Sequence, residues 1–349
     1  MGCRDILFRG AGLDRDRVPV YRGRGYSLFK TLYSSYCRMD CLYCPFSIHS
    51  RYEKASWSTD ELVRTFNSAV ESGRVEGLFL TSSLFGDPDL VVEREIEVLS
   101  RVRRTGFRGY IHVRLMPGVS KSLLSYAAVL ADRAGLNVEA PESTFYDIAP
   151  SKADWMQDIV KRIEWLVQLK RRFRREGAGG SGMLRSGIDT QFVLGASSET
   201  DLEVLETAWM LLRIGVDRIY ISRFRPFKTT PLSGRRPESP LRALRVMQAI
   251  ELMRVYGYSI DDLKMIINED GMLPKTDPKV AYAGANPNLY PVDLNTAGYK
   301  ELLKVPGIGP RSARAIIKAR ESGVKLTSSF IRGVLGDYRF RRASRYIVF

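Results

Sequence analysis

The 349-residue sequence predicts an α/β fold: a partial, TIM-like (β/α)6 barrel followed by a small all-α C-terminal domain. Apolar runs alternate with amphipathic stretches from Ser27 to Phe224, and this alternation makes six βα repeats. A Pro- and Gly-rich passage from Asp270 to Pro291 then precedes a short helical segment. Repeated βαβ order favours a parallel sheet with its helices outside, and six units are too few for a complete eight-fold barrel.

The candidate strands are short apolar or alternating runs, and the candidate helices repeat apolar residues near helical spacing. Strands are predicted at 27–35, 75–82, 110–116, 136–140, 188–194 and 218–224, and helices at 57–72, 91–105, 121–133, 152–176, 199–214 and 239–256. Ser58 followed by Glu61 is typical of a capping box and supports the start of the first helix. We place the domain boundary near Asp270, with a core at 1–270 and a second domain at 271–349.

The composition is that of a globular protein, with 44% hydrophobic and 27% charged residues. No segment approaches the roughly 20 consecutive apolar residues that span a bilayer, so no membrane association is expected. Between Met1 and Gly12 charged residues interrupt the apolar ones, which is not typical of a secretory signal. We therefore expect a cytoplasmic protein.

The chain carries a formal net charge of +15 and has a pI near 9.7. Such an excess favours polyanionic partners, nucleic acid above all, because each neutralised phosphate releases a condensed counterion. A generally basic, heat-adapted protein whose arginines form ion pairs would show the same balance. The charge leaves both interpretations open, and local motifs have to decide between them.

Three of the four cysteines stand within eight residues, directly after the first predicted strand. Cys37, Cys41 and Cys44 have the spacing C-x3-C-x2-C, which indicates a metal site and not a disulfide framework. A loop at the carboxyl end of a parallel strand can wrap three thiolates around a [4Fe-4S] cluster and leave one iron open. The alternative is a zinc site with His49 as the fourth ligand. Cys3 has no partner in the pattern and is expected to be a bystander.

With Tyr43 as the aromatic residue before the last cysteine, the motif resembles the CxxxCxΦC signature of radical S-adenosylmethionine (SAM) enzymes. The resemblance implies that SAM binds the open iron and is cleaved reductively to a 5'-deoxyadenosyl radical, with an electron donor such as a ferredoxin or flavodoxin. The stretches 27–32, 77–83, 109–112 and 189–195 are similar to one radical SAM subfamily associated with DNA modification or repair. Some members of that subfamily neighbour uracil-DNA-glycosylase-like proteins, which makes such a protein a candidate partner.

The same resemblance suggests where the methionyl end of SAM binds. After their second strand, radical SAM enzymes often carry a GGE-like loop that holds the methionyl amine, and the equivalent here is Thr81-Ser82-Ser83-Leu84-Phe85-Gly86-Asp87. The glutamate is missing, so Ser82, Ser83 or Asp87 is expected to take over this contact. The alternative is a plain strand-to-helix turn capped by Asp87.

Two further positions are candidates for the rest of SAM. Glu139 lies in the fourth predicted strand, and a carboxylate there is expected to point into the barrel mouth and bind ribose hydroxyls or substrate. Gly195 lies in a region similar to the family's GxIxGxxE segment, where a glycine allows adenine to approach closely. Glu199 in that region is equally explained as a first-turn helix charge.

Near the C-terminus, Val305-Pro306-Gly307-Ile308-Gly309 separates two helical stretches. Glycines at a tight hairpin allow the amides at the start of the second helix to face an anion. The segment resembles the helix-hairpin-helix motif of DNA repair and processing proteins, which implies phosphate contacts at Gly307, Ile308 and Gly309, with Arg311 and Arg314 adding charge. The alternative is an αα-hairpin that only turns and packs.

The leading hypothesis is a radical SAM enzyme that modifies or repairs a nucleotide in DNA. One alternative is the same chemistry on RNA, for instance tRNA, because hairpin amides do not distinguish the sugars well. Another is a non-catalytic iron-sulfur protein that binds nucleic acid or senses redox state, an idea that the missing glutamate supports. The sequence names no residue that acts on the substrate.

Overall fold

The structure is a computed structural model that describes residue 7 and residues 20–23, 25–177 and 179–349. Cys3 and most of the N-terminal stretch, which the sequence predicts to be no secretory signal, lie outside these residues. Among the helices of the described residues, none is both long and apolar enough to cross a membrane.

Within the described residues, seven strands form one sheet in chain order, and the six strands β2 to β7 are parallel. At one edge β1 (Val20–Gly23) pairs antiparallel with β2 (Tyr26–Leu32). The other strands are β3 (Gly77–Thr81), β4 (Tyr110–Arg114), β5 (Arg133–Gly135), β6 (Gly187–Leu194) and β7 (Arg218–Arg223). The sheet curls into an open half-barrel, which confirms the predicted fold class.

Helices follow the strands as the sequence predicts. They are α1 (Thr59–Glu71), α2 (Pro88–Arg104), α3 (Lys121–Leu130), the short α4 (Glu142–Phe145), α5 (Lys161–Arg175) and α6 (Asp201–Ile214), with a π-helical turn at Trp155–Val160 ahead of α5. The Ser58 side chain caps α1 by accepting from the Glu61 amide at 3.2 Å.

Alternate residues of each strand face opposite sides of the half-barrel. On the convex side, Phe29 of β2 packs edge to face on Phe66 of α1, and Ile111 and Val113 of β4 are fully buried. On the concave side, the same β4 strand carries Tyr110, His112 and Arg114. The apolar face therefore anchors the helices, while the concave face, called the lumen here, carries polar side chains.

The fourth parallel strand lies earlier than predicted. β5 covers Arg133–Gly135 and α3 ends at Leu130, whereas the sequence predicts a strand at 136–140. Alternation in 136–140 is broken at Glu139, whose φ of 62° lies in the left-handed region, so that only an isolated bridge to Phe192 continues the ladder. A Cβ at position 135 would collide with Asp189, and glycine is therefore the residue that lets β5 and β6 approach.

The chain divides into two compact units, and the second consists of Thr200–Met210 and Ser239–Phe349. After α6 it contains α7 (Pro240–Tyr256), α8 (Ile260–Lys264), α9 (Pro278–Ala285), β8 (Val292–Asp293), α10 (Tyr299–Lys304), α11 (Pro310–Glu321), α12 (Ser328–Leu335), α13 (Asp337–Ala343) and β9 (Ile347–Val348). Its own core includes Leu302, Ile308, Ile316 and Ile331. The longer of its two segments begins at Ser239. The predicted domain boundary near Asp270 and a separate function for 271–349 stay predictions.

Candidate functional site

The cysteine loop follows β2 and is held in place by main-chain hydrogen bonds to two other loops. The Arg38 amide donates to the Leu84 carbonyl at 2.8 Å, and the Leu42 amide donates to the Ile148 carbonyl at 2.9 Å. A turn within the loop brings the Cys44 amide to 3.2 Å from the Cys41 carbonyl. The loops after β2, after β3 and after α4 therefore meet around the three cysteines.

The three thiols are shielded from solvent to different degrees, and burial disfavours their charged form. Cys41 is buried, while Cys37 and Cys44 are partly buried. Burial raises the pKa of the Cys41 thiol to about 12 and that of Cys44 to about 11. Because metals bind the thiolate, a positively charged iron centre would reverse this penalty, and the three cysteines fit the expected cluster.

The zinc alternative fits less well. His49 is exposed, and within the described ranges no three His, Cys, Asp or Glu residues, the three cysteines included, are arranged to hold a single metal ion. In a cubane each thiolate bonds a different iron, so its ligands stand farther apart than the ligands of one zinc ion. Because the three cysteines do not converge on one ion, their arrangement fits a cluster better than a zinc site.

A buried ion pair lies beside the cysteines. Lys152 Nζ is 2.5 Å from Glu139 Oε1, and the Tyr43 hydroxyl also hydrogen-bonds Glu139. Burial and the Glu139 charge raise the pKa of Tyr43; burial alone would lower the pKa of Lys152, but the charges of Glu139 and Cys41 outweigh it and raise that pKa. Glu139 thus lies near the cluster loop, and its contact with ribose or substrate stays a prediction.

Lys152 was not among the predicted site residues. Its place in the sequence, next to Ala149-Pro150-Ser151, is typical of the start of a helix, and no spacing links it to the cysteines. Only the fold brings it to Glu139, and no sequence signal could have found it.

The loop after β3 lies against the cysteine loop, as the proposed SAM contact requires. The Ser83 amide donates to the Ser34 carbonyl at 2.9 Å, and Ser82 Oγ donates to the Ser83 carbonyl at 2.9 Å. The Asp87 side chain accepts from the Asp89 amide at 2.9 Å and caps α2. Asp87 is thus occupied as a cap, while binding of the methionyl amine by Ser82 or Ser83 stays a prediction.

Gly195 has a φ of 86° and faces the Glu238 side chain, which a Cβ would meet. Its amide donates to Glu199 Oε1 at 2.6 Å, and Ser197 donates to the other oxygen of that carboxylate. Glu199 therefore closes the turn after β6. The adenine contact of Gly195 stays a prediction.

Sequence analysis also missed a buried polar group in the lumen. Asp189 of β6 lies 3.0 Å from Arg114 Nη2 and 3.1 Å from His112 Nε2, both from β4. The signal was present in Tyr110-Ile111-His112-Val113-Arg114, where polar residues alternate with apolar ones and so share one face.

The C-terminal hairpin between α10 and α11 packs within its own unit. Gly307 has a φ of 91°, and a Cβ there would lie 2.6 Å from the Arg339 carbonyl oxygen. Ile308 is 1% exposed, and its carbonyl accepts from the buried Lys279 Nζ at 2.5 Å. Arg311 and Arg314 are exposed on α11. The turn of the hairpin is thus packed, while α11 carries an exposed basic face. The phosphate contacts of the hairpin stay a prediction.

The second unit also has an open groove of about 920 Å³. The groove residues on α13 and the segment after it are basic or aromatic, and Arg245 of α7 lies opposite; the set is Arg245, Tyr338, Arg341, Arg342, Arg345 and Tyr346. Asp277 also lines the groove and pairs with Arg342 at 3.1 Å. We call this set the arginine groove.

Comparisons with known proteins agree with these features. A family model described as "Helix-hairpin-helix motif" matches residues 288–329. A biotin synthase from Desulfatibacillum aliphaticivorans is 26% identical over 301 residues, which are 82% of this chain and 77% of that protein.

Solved structures of similar fold include methylornithine synthase, with 16% identity, a TM-score of 0.46 and coverage of 64% of this chain and 60% of that one. The FeFe-hydrogenase maturase HydG from Carboxydothermus hydrogenoformans has 15% identity, a TM-score of 0.49 and coverage of 64% and 50%. The chain thus spans between one half and three fifths of the length of these structures.

A half-barrel with three cysteines in the loop after its first parallel strand has the arrangement of a radical SAM enzyme. The biotin synthase relative is of that class, and the resemblance predicted from the cysteine motif is confirmed. The relative agrees with the expected enzyme class and with the expected [4Fe-4S] cluster and SAM. The family model confirms the C-terminal helix-hairpin-helix motif.

Proposed function

We propose that this protein uses radical SAM chemistry to modify or repair a nucleotide in DNA that its second unit holds. One observation carries the proposal: a chain whose cysteine loop fits an iron-sulfur cluster also contains a helix-hairpin-helix motif with an exposed basic face. The cysteine loop by itself specifies no substrate, and the basic hairpin by itself specifies no chemistry. Together they join a radical source with a means of holding a polyanion.

The roles of the chain's own residues follow from their positions. Cys37, Cys41 and Cys44 would hold the cluster, which together with SAM supplies a 5'-deoxyadenosyl radical when both are bound. Glu139 and Lys152 keep opposite charges beside the thiolates, so this buried pair adds no net charge to the site. Ser82 and Ser83 lie in the loop that contacts the cysteine loop, and we assign their hydroxyls to the methionyl end of SAM.

Nucleic-acid binding is supported by the charges on α11. Arg311, Arg314 and Lys318 are exposed and recur at spacings of three and four, so they share one face of the helix. Contacts of this kind position a phosphate backbone without reading bases. DNA is favoured over RNA by the resemblance to DNA repair proteins, and an electron donor such as a ferredoxin or flavodoxin, with a uracil-DNA-glycosylase-like partner, belongs to the same proposal.

Cluster chemistry is tested with anaerobically reconstituted protein, SAM and a reductant. We expect wild type to form 5'-deoxyadenosine and Cys37→Ala to lose it together with cluster absorbance. His49→Ala is the matched control, because the cluster interpretation leaves its iron content and activity unchanged while a zinc site would lose metal. A wild-type protein that binds a cluster but forms no 5'-deoxyadenosine would instead support the sensor alternative.

The nucleic-acid claim is tested by the salt dependence of DNA binding. Arg311→Gln/Arg314→Gln is expected to lower the slope of log K against log salt by about two, since each lost phosphate contact removes roughly 0.9. Arg64→Gln/Arg74→Gln removes the same charge from exposed sites in the first unit and controls for net charge. Equal slopes for the two variants would contradict the assignment, and preference for matched RNA in competition would transfer it to RNA.

A further inference from the structure

The lumen of the half-barrel contains one buried and two partly buried cations that the cysteine site does not use. Lys30 lies on β2, Arg114 on β4 and Arg133 on β5, and all three point to the concave face. With His112 and Asp189 they form what we call the lumen cluster.

The positive charge of this cluster exceeds its negative charge. Asp189 pairs with Arg114 at 3.0 Å and with His112, whose pKa burial lowers, so that the imidazole stays neutral. Within the described part of the chain, Lys30 and Arg133 have no carboxylate at ion-pair distance: Lys30 Nζ lies 4.9 Å from the Phe79 ring centre, and Arg133 Nε donates to the Tyr110 hydroxyl at 3.1 Å. Three cations therefore face one carboxylate.

Two hydrogen-bond donors of the cluster are unused. Nη1 of Arg114 and Nη1 of Arg133 are buried without a hydrogen-bond partner among the described residues. Arg114 is 6% exposed, and burial together with the Arg114 charge lowers the pKa of Lys30 to about 8. Buried cations and orphaned donors are both unfavourable, and one anion placed between them would relieve both penalties.

The kind of anion follows from the donors. Two guanidinium forks and an ammonium suit a group with several oxygens, and arginine binds phosphate through paired, charge-assisted hydrogen bonds. Tyr26 on β2 and Tyr220 on β7 are 47% and 43% exposed, so the cluster lies near a solvent-accessible part of the lumen.

We propose that the lumen cluster binds a phosphate group of the substrate. This inference rests on the proposed function, in which a nucleotide enters the half-barrel. The nucleotide arrives either free or flipped out of a strand, and flipping is how other enzymes reach bases in a duplex. In both cases Lys30, Arg114 and Arg133 fix the phosphate while the base and sugar extend toward the cysteine end.

The test compares deoxynucleoside 5'-monophosphates with the corresponding nucleosides, and with inorganic phosphate, by calorimetry on the reconstituted holoenzyme. We expect the phosphate-bearing probes to bind and the nucleosides to bind far more weakly. Lys30→Met should weaken binding of the monophosphates by roughly ten- to a hundredfold, the effect of one charged hydrogen bond. Without any anion the same variant should melt at a higher temperature than wild type, because it removes a partly buried charge that no carboxylate compensates.

Lys161→Met is the matched control, since Lys161 is exposed on α5 and should leave both measurements unchanged. Arg133→Gln is a second, independent variant and should also weaken monophosphate binding. Equal affinity for nucleotide and nucleoside, or unchanged affinity in both variants, would overturn the lumen site.

Two parallel measurements separate the sources of the phosphate and the two proposals. Formation of 5'-deoxyadenosine stimulated by monophosphates supports a free nucleotide, and stimulation only by oligonucleotides supports a flipped one. If oligonucleotides bind normally and neither the Lys30 nor the Arg133 substitution changes monophosphate binding, the lumen site alone is ruled out. Monophosphate binding without any oligonucleotide binding removes the proposed DNA function alone.

Discussion

Glu95 is a carboxyl group in α2 that is fully buried, and neither of its oxygens has a hydrogen-bond partner among the described residues. Burial raises its pKa well above the ordinary value. In the folded protein it therefore stays protonated at pH values where the unfolded chain ionises. Folding is then opposed increasingly as pH rises above about 4.5, because the unfolded state loses a proton that the folded state keeps.

Glu95→Met should consequently stabilise the protein, and its advantage should grow from pH 5 to pH 8 by at most about 1.4 kcal/mol per pH unit. The measurement is the thermal unfolding midpoint of both proteins across this range. Glu93→Met, an exposed position on the same helix, should show no such trend. A constant or shrinking advantage for Glu95→Met would mean that Glu95 has a partner.

The Glu139–Lys152 pair makes a second prediction for single residues. Lys152→Met leaves a buried carboxylate beside the thiolates, and breaking such a pair costs about 3–5 kcal/mol. We expect lower iron content after reconstitution and faster loss of the cluster to a chelator. Glu139→Gln/Lys152→Met should recover part of the loss, since it removes both charges. If the double variant loses iron as fast as the single one, the pair does not act as a unit.

Among the secondary-structure elements, the hairpin between α10 and α11 is so tightly packed that a substitution at its glycine disturbs folding as well as any phosphate contact. Gly307 combines a φ of 91° with a site where a Cβ would touch the Arg339 carbonyl oxygen of α13. Any other residue strains the backbone and displaces α13. A loss of DNA binding after its replacement would therefore report folding as much as phosphate contact, and arginine variants of α11 are the sharper probe.

Gly307→Ala is expected to destabilise the second unit by about 1–3 kcal/mol. Hydrogen exchange of the α10 and α11 amides in the full chain measures this. Gly333→Ala on α12 is the control, because a Cβ there meets nothing within 4 Å; it should stabilise its helix by about 0.5–1 kcal/mol. Equal hydrogen-exchange protection of these amides in wild type and Gly307→Ala would show that α13 moves aside without loss of stability.

The shifted strand β5 shows which elements the sequence specifies and which it does not. Apolar and polar residue types alternate in the sequence Leu136-Asn137-Val138-Glu139-Ala140, as they should in a strand. The strand that hydrogen-bonds in the sheet is nevertheless Arg133–Gly135. An alternation with a period of two residues fits either segment. Only hydrogen bonding with β4 and β6 decides which segment joins the sheet. This choice depends on Gly135, because a side chain there would collide with Asp189, a residue far away in the sequence.

For the whole molecule, the net charge of +15 has two local concentrations in the second unit: the α11 face and the arginine groove. The C-terminal segment that forms the groove is also docked, since Phe340 and Ala343 are buried and β9 pairs with β8. The C-terminal segment thus combines docking within the second unit with an exposed basic surface.

If the groove extends the nucleic-acid footprint, Arg341→Gln/Arg345→Gln should lower the salt slope of DNA binding by about two, equally for all sequences. Both side chains are exposed, so folding should be unaffected. Fluorescence anisotropy at several salt concentrations gives the slope, with Arg64→Gln/Arg74→Gln as the equal-charge control. A slope like that of the control would leave the groove outside the footprint.

The sequence by itself determined the half-barrel, the cysteine loop and the C-terminal hairpin, because each depends on local periodicity or on ligands only a few residues apart. Tertiary structure alone decided that Lys152 pairs with Glu139, that Asp87 caps α2 while Glu199 closes the turn after β6, and that Lys30, Arg114 and Arg133 share the lumen with one carboxylate. These groupings join residues from separate strands and loops. Their charge balance exists only after the sheet curls, and no spacing along the chain encodes it.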